Sequence, residues 1–571
     1  MKKFIKDNKF LIIFILFFFF IRFFELNAVG ETWDEIAKVR NGQLHLKAIS
    51  QLDFSYKTWE IHKEHPPLGK ILLALPTYLT TKLGITLLDD SVYQVSKQYN
   101  FARLLSLIFA SGTLFLTYFI SKKWFNKTTA WIAVVGLSLF PHFVAHSFIA
   151  TLESPQTFFV TLLFFLLVYF DKHLKTSNLV LIAVVLATTL LVKLSSIFFL
   201  PLPFLFSLTH SVILNSDNVI SNPPLVTASR RRGCLFRLLH PLTGGFAMTN
   251  NTKPIATPEK LDSRCHGNDD RNVIANPTSV IARSLRRGNL LKNLLKKNLI
   301  IYSITIILFI ILWPWLWANP LARLFETLGH FNVSRTEYFM GQLISPPFYY
   351  YLYYFAISVP VLYFIGFILG IRNIFSRKYL LVLIWFLLPF LASFSGFKQN
   401  GVRYLHSSFP AFSILVAVGF DQLFLNIKRK YILMAGILAY VVITNVSVSP
   451  YYLDYYNIFV SGYSGVYINR LAQIGWWGEG TKQAIIFLNN QTTMTTTLCV
   501  KLTPAHVLSN VNSNFEIYID SSDIVSCTSK YLISNTLDQW TKNYKVDSTI
   551  YEKIYETRAS GSPIVQVFKH K

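Results

Sequence analysis

Long, unbroken apolar runs constrain this chain more than any other feature. The first, "FLIIFILFFFFIRFF", starts at Phe10 and has a single charge. About 20 such residues, rising about 1.5 Å each as a helix, cross the roughly 30 Å hydrocarbon layer of a bilayer. Only helices and closed barrels satisfy every backbone group in lipid. The runs are continuous rather than alternating, which predicts helices. Of 571 residues, 52% are hydrophobic, 50 are Phe and only 15% are charged, a balance that excludes an ordinary soluble protein of this size. Eleven spans are expected, near 9–27, 101–120, 128–146, 156–170, 178–192, 194–210, 298–317, 350–370, 379–396, 405–425 and 431–448. The first run is too long for a cleaved signal peptide, and no A-x-A-like site follows it.

Lys and Arg between the spans orient them. "MKKFIKDNK", "SKKWFNK", "DKHLK", "IRNIFSRK" and "NIKRK" fall on one side if the spans alternate, and so does the basic segment 211–297. That side is expected to be the cytoplasm. The formal net charge of +25 therefore reflects membrane topology. No single face gathers it as a nucleic-acid partner would require. The expected divisions are a transmembrane module 1–210 with an outer loop 28–100, a cytoplasmic insert 211–297, helices 298–448 with an outer loop 318–349, and an outer domain 449–571. The insert has little periodicity, predicting disorder and no catalytic role, with contact to anionic lipid heads as the alternative.

The polar residues that stand out collect on the outer side. "ETWDE" follows the first span and brings Asp34 and Glu35. Carboxylates at the start of a helix are favoured by its dipole, so a solvated helix end is the plain reading of both. "HPPLGK" holds His65 and Lys70 behind two prolines, which forbid a helix before them and start one well. Glu153 precedes the fourth span, where it reads as a cap or as a second acid over the same cavity. Lys193 lies inside an apolar stretch, either snorkelling to the surface or aimed at an anion. Arg103 opens the second span. Lys398, Arg403, Tyr404 and His406 crowd the turn "GFKQNGVRYLH". Arg suits bidentate phosphate binding and Lys binds as a point charge. Outer carboxylates with outer cations point to a reaction on an anionic, membrane-held substrate. No Walker A pattern and no glycine-rich dinucleotide loop is present.

"TWDE", "HPPLGK", "ARLLSLIFA", "ATLESPQTFF" and "LVKLSSIFFLP" occur in an order that resembles the C superfamily of membrane glycosyltransferases. The closest likeness is to the protein O-mannosyltransferase group and its bacterial members; aminoarabinose transferases are more distant. The resemblance implies a multi-pass α-helical membrane protein, GT-C-like, with a large first outer loop and a small C-terminal α+β domain. It implies an inverting transfer of a sugar from a polyprenyl-phosphate donor to a hydroxyl of a protein, lipid or glycan, on the non-cytoplasmic face of a bacterial inner membrane. Asp34 is then the general base, Glu35 orients the site or the acceptor, and Glu153 is the acid of the second outer turn. His65, Arg103, Lys193, Lys398 and Arg403 become donor-phosphate ligands, and Tyr404 and His406 substrate contacts. Glu153 departs from the family's more usual Asp. A divalent metal bridging carboxylates and phosphate stays open, and no other cofactor is implied.

From 449 the pattern changes. "TKQAIIFLNN" reads as a helix and "FEIYID", "KYLIS" and "PIVQVFK" as strands. Trp476 and Trp477 read as interfacial anchors, or alternatively as a sugar platform. Cys499 and Cys527 can pair in an oxidising compartment, whereas Cys234 and Cys265 should be reduced. Two rival functions remain. A transporter would suit many spans with buried charges, but the halves show no repeat. A non-catalytic assembly factor would have no need of "TWDE".

Overall fold

The computed structural model describes residues 2–83, 96–171, 175–209, 288–396, 398–425, 427–502, 511–520 and 528–571. Residues 208–295 form a unit separate from the remainder of the chain, and most of the insert 211–297 lies outside the described residues. The expectation of disorder there, and Cys234, Cys265 and Cys527, fall outside them as well.

Among the described residues six helices are long and apolar enough to cross a membrane. They are Tyr99–Trp124, Glu153–Phe170, Lys292–Ile311, Arg377–Phe394, Arg403–Leu425 and Lys430–Val448. Two bent pairs raise the number to eight if each is one span: Lys127–Ser138 with Pro141–Ser147, bent by 67°, and Tyr350–Ser358 with Val361–Asn373, bent by 109°. Both bends fall at a proline, Pro141 or Pro360, whose ring and missing N–H interrupt the helical ladder. The other three expected spans are shorter apolar helices, Lys9–Phe24, Thr176–Val192 and Leu194–Thr209.

Glycines let some of these helices touch backbone to backbone. A Cβ on Gly419 would sit 1.9 Å from the carbonyl oxygen of Gly366, so the helices Val361–Gly370 and Phe409–Leu425 approach as only small residues allow. Phenylalanine fills the space beside that seam: Phe355, Phe386 and Phe412 lie with ring centroids 5.0–5.5 Å apart.

The C-terminal part holds a five-stranded sheet. Its strands are β3 (Thr496–Lys501), β4 (Phe515–Ile519), β5 (Tyr531–Asn535), β6 (Tyr551–Ala559) and β7 (Ser562–His570), after a separate hairpin of β1 (Glu337–Phe339) and β2 (Gln342–Ile344). The order is β4-β3-β5-β7-β6; β3 runs parallel to β4 and β5, and β7 antiparallel to β5 and β6. The expected helix is present as Thr481–Asn489, and the three expected strands are β4, β5 and β7. Strands β3 and β6 were not anticipated: "TTTLCVK" and "YEKIYETRA" carry the threonines and charges of surface segments. Cys499, buried in β3, is disulfide-bonded.

Candidate functional site

The helix Trp33–Ser50 starts after the extended residue Thr32, so Asp34 and Glu35 both stand in its first turn. Consecutive residues on a helix point about 100° apart. Glu35 turns inward. Its Oε2 accepts from the backbone N–H of Thr32 at 2.9 Å and the Thr32 hydroxyl at 3.1 Å. Its Oε1 accepts from the N–H of Ala150 at 2.8 Å and from Arg103 Nε at 2.7 Å, while Arg103 Nη2 reaches Oε2 at 2.6 Å. Arg103 also donates to the carbonyls of Leu26 and Gly30. Both side chains are fully buried. Glu35 and Arg103 therefore bolt the start of the outer loop to the helix Ser96–Trp124 and to the turn before Glu153. This corrects two expectations. Neither the orienting acid nor the phosphate ligand faces the cavity, because each is consumed by the other and by backbone.

Asp34 turns the other way, into a cavity of about 630 Å³. Arg403 sits beside it: Nη2 pairs with Asp34 Oδ2, and Nε donates to Glu153 Oε1 at 2.5 Å. Lys193 Nζ donates to the same Glu153 oxygen at 2.7 Å and lies 4.7 Å from the centre of the Tyr404 ring. The Arg403 guanidinium lies 4.5 Å from the centre of the Trp477 ring. Four distant segments thus form one chain of alternating charge, Asp34–Arg403–Glu153–Lys193. Lys193 does not snorkel; it is buried at the C-terminal end of the helix Thr176–Val192, where the dipole favours a cation. Burial alone would raise the Asp34 carboxyl, but Arg403 and then Lys38 outweigh it and hold Asp34 below the usual aspartate value.

"HPPLGK" builds the neighbouring wall. The helix Pro67–Leu83 begins within the double proline, as expected. Lys70 Nζ donates to the carbonyls of His62 and His65, both at 2.9 Å, and so ties the preceding loop into a knot. Burial lowers the Lys70 ammonium to about 7. A Cβ on Gly69 would stand 2.5 Å from the carbonyl oxygen of Val192, so glycine lets this helix lie against the chain just before Lys193. His65 lines the cavity, as Tyr404 does. Its buried Nδ1 has no hydrogen-bond partner, and burial keeps its imidazole neutral, well below the usual histidine value.

One expected substrate contact, His406, and one expected phosphate ligand, Lys398, stand elsewhere. His406 is buried behind the cavity, with Nδ1 2.6 Å from the Thr157 hydroxyl and its ring stacked on Phe143 at 5.7 Å. Lys398 Nζ donates to the Ser395 carbonyl at 2.7 Å and does not line the cavity. Trp477 is not an interfacial anchor. It is buried, and Trp476 and Trp477 both line the cavity. Their loop, Gly475–Gly480, is held by two buried carboxyls: Asp454 Oδ1 accepts from the Gly475 N–H at 2.9 Å and Glu479 Oε2 from the Trp477 N–H at 2.8 Å.

Sequence reasoning missed Lys38. It lines the cavity one turn after Asp34, is 6% exposed and makes no ion pair among the described residues. Its i+4 spacing from Asp34 was the available signal. Glu337 and Gln473, also in the wall, gave none, because they are far apart in sequence and lie in unremarkable polar segments. Among the described residues no group of three or more His, Cys, Asp or Glu is arranged to hold a metal ion.

The fold can be set beside solved structures. ArnT from Cupriavidus metallidurans in the apo state aligns with a TM-score of 0.46 and 12% identity, over 99% of this chain and 98% of that one. Its form bound to undecaprenyl phosphate aligns with a TM-score of 0.47 and 11% identity, over the same shares. The oligosaccharyltransferase AglB from Archaeoglobus fulgidus, in complex with an inhibitory peptide and a dolichol-phosphate, aligns with a TM-score of 0.43 and 10% identity, over 99% of this chain and 74% of that one. A comparison with curated protein sequences gives no match. Residues 54–225, which carry the "HPPLGK" wall, Glu153 and Lys193, match the family described as dolichyl-phosphate-mannose-protein mannosyltransferase.

Proposed function

We propose that this chain is an inverting glycosyltransferase, moving a sugar from a polyprenyl-phosphate donor to a hydroxyl acceptor in the cavity of Asp34. One observation carries the reading. Asp34, a carboxylate paired with Arg403, and Lys38, an ammonium with no ion-pair partner among the described residues, share one helix face and one cavity wall. The family match over residues 54–225 supports the same chemistry and suggests mannose as the sugar.

The acceptor oxygen attacks the anomeric carbon from the face opposite the phosphate. Its proton passes to Asp34, the carbon–oxygen bond to phosphate breaks, and polyprenyl phosphate leaves with one more negative charge. A positioned base contributes typically about 10²–10⁴-fold. Lys38 and Arg403 meet the charge that develops on the leaving group, and Lys193 holds Glu153 and, through it, Arg403 in place. His65 stays neutral and offers a hydrogen bond. Leu194, Ile197 and Tyr302 line an apolar groove of about 490 Å³ that begins next to Lys193 and suits a polyprenyl tail. Tyr404, packed against Lys193, lines the cavity of Asp34.

In this reading the cavity faces away from the cytoplasm of a bacterial inner membrane, the N-terminus is cytoplasmic, and the domain 449–571 covers the cavity from outside. The acceptor is a protein, lipid or glycan hydroxyl. The test is transfer of labelled sugar from membrane lipid donors by wild type and Asp34→Asn. Transfer by the variant at the wild-type rate would overturn the base assignment. Solute uptake into vesicles that disappears with the same variant would favour a transporter instead.

A further inference from the structure

The cavity wall is not uniform. Asp34, Lys38, His65 and Arg403 give it charge. Glu337, Gln399, Asn400, Gln473 and Trp476 line it as well. Glu337 opens β1, and its Oε2 accepts from the Gln473 side-chain amide and, at 3.5 Å, from the Asn400 N–H. The other oxygen, Oε1, has no protein partner among the described residues. Gln473 is itself fixed. Its N–H donates to the Tyr354 hydroxyl at 3.3 Å, and its carbonyl accepts from the Tyr456 hydroxyl. A carboxyl and a primary amide are thus held side by side, pre-set before any ligand arrives.

We infer that the Glu337–Gln473 pair is the subsite for the donor's sugar ring, and that it takes an uncharged sugar rather than an amino sugar. This rests on the glycosyltransferase reading above. A hydroxyl-bearing ring needs fixed acceptors and donors within reach, and this pair with Gln399 and Asn400 supplies both. Rigid groups lose little freedom on binding and favour one arrangement of hydroxyls over others. A sugar ammonium would need an ionised carboxylate of its own. Asp34 and Glu153 are already paired with Arg403 and Lys193, and Glu64 is engaged by His62 at 2.8 Å. Glu337 alone would face the ammonium, with the Arg335 guanidinium beside it in the same wall. Burial raises the Glu337 carboxyl to about 7, which leaves it only partly ionised at neutral pH.

The full-length protein in lipid nanodiscs would be titrated with bare polyprenyl phosphate, with its mannosyl, glucosyl and galactosyl forms, and with a 4-amino-pentosyl form. Binding would be read from tryptophan fluorescence. Wild type should bind at least one uncharged glycosyl form about tenfold tighter than bare polyprenyl phosphate, and the amino form no tighter. Glu337→Ala should erase that preference while leaving affinity for bare polyprenyl phosphate unchanged, and Glu337→Gln should retain most of it. Equal weakening of all ligands by Glu337→Ala would overturn the subsite and leave Glu337 as a prop for the hairpin. Tightest binding of the amino form would overturn the claim about charge. Wild type that binds none of the lipid phosphates would instead remove the glycosyltransferase reading itself.

Discussion

Asp34 and Glu35 are neighbours of the same chemistry, yet they belong to different structures. Glu35 is buried, takes contacts from three segments and has Arg103 as a partner of its own. Asp34 shares Arg403 with Glu153 and keeps one oxygen toward the cavity. The first pair is closed and holds the loop. The second is open, since Asp34 and Arg403 both line the cavity. An ion pair alone therefore says little about function; what matters is whether a face of the pair is left for a ligand.

That contrast can be broken in order of effect. Asp34→Asn should lower sugar transfer by about 10²–10⁴-fold while abundance and thermal unfolding stay near wild type. A matching loss of folded protein would merge the two carboxylates into one structural role. Glu35→Gln should do the reverse. It leaves Arg103 buried without its counter-charge, at a cost of about 3–5 kcal/mol, visible as a lower unfolding temperature in detergent. The protein that remains folded should still transfer. Lys38→Met removes a charge-assisted contact worth about 1.5–3 kcal/mol, so kcat/KM for the lipid donor should fall roughly ten- to hundredfold with little change in stability. Gly69→Ala brings a methyl against the Val192 carbonyl, and an overpacked contact of this kind costs about 1–3 kcal/mol; a denaturation series would read it.

The smallest effect is on pH. With Glu337 replaced by Gln, the carboxyl that titrates near 7 is gone. Because Asp34 is held below the ordinary aspartate value, it stays ionised as the medium acidifies. Lys70, held near 7, is fully protonated about one unit below that, so the profile of kcat/KM should then stay level from about pH 6 to about pH 5. Adding Lys38→Met removes a cation that favours the ionised form, so the acid limb should move to higher pH. A limb that moves to lower pH, or does not move, would place Lys38 away from Asp34.

Much of the fold was legible because its cause is local. A run such as "FLIIFILFFFF" must leave water, and the double proline of "HPPLGK" sets the start of a helix whatever surrounds it. Bends were less legible: a span with Pro141 or Pro360 in it reads as one apolar run until the angle is seen. In the site, Asp34, Glu153, Lys193 and Arg403 were anticipated together, and the structure brings them together. Arg103, Lys398 and His406 were chosen by residue type and by side of the membrane. Type and side do not reveal which backbone carbonyls or hydroxyls a cation or an imidazole will meet first.

The sequence by itself determined that this chain lives in a membrane, that its chemistry-bearing residues sit in the polar segments between apolar runs, and where those segments lie. These follow from transfer free energies that each stretch carries on its own. Only the tertiary structure decided that Asp34 looks into the cavity and Glu35 away from it, that Lys193 is buried against Glu153, and that Lys38 and Glu337 share one wall. Those outcomes depend on which distant groups come within a few ångströms of each other. Helix packing sets that proximity, and the order of residues along the chain does not contain it.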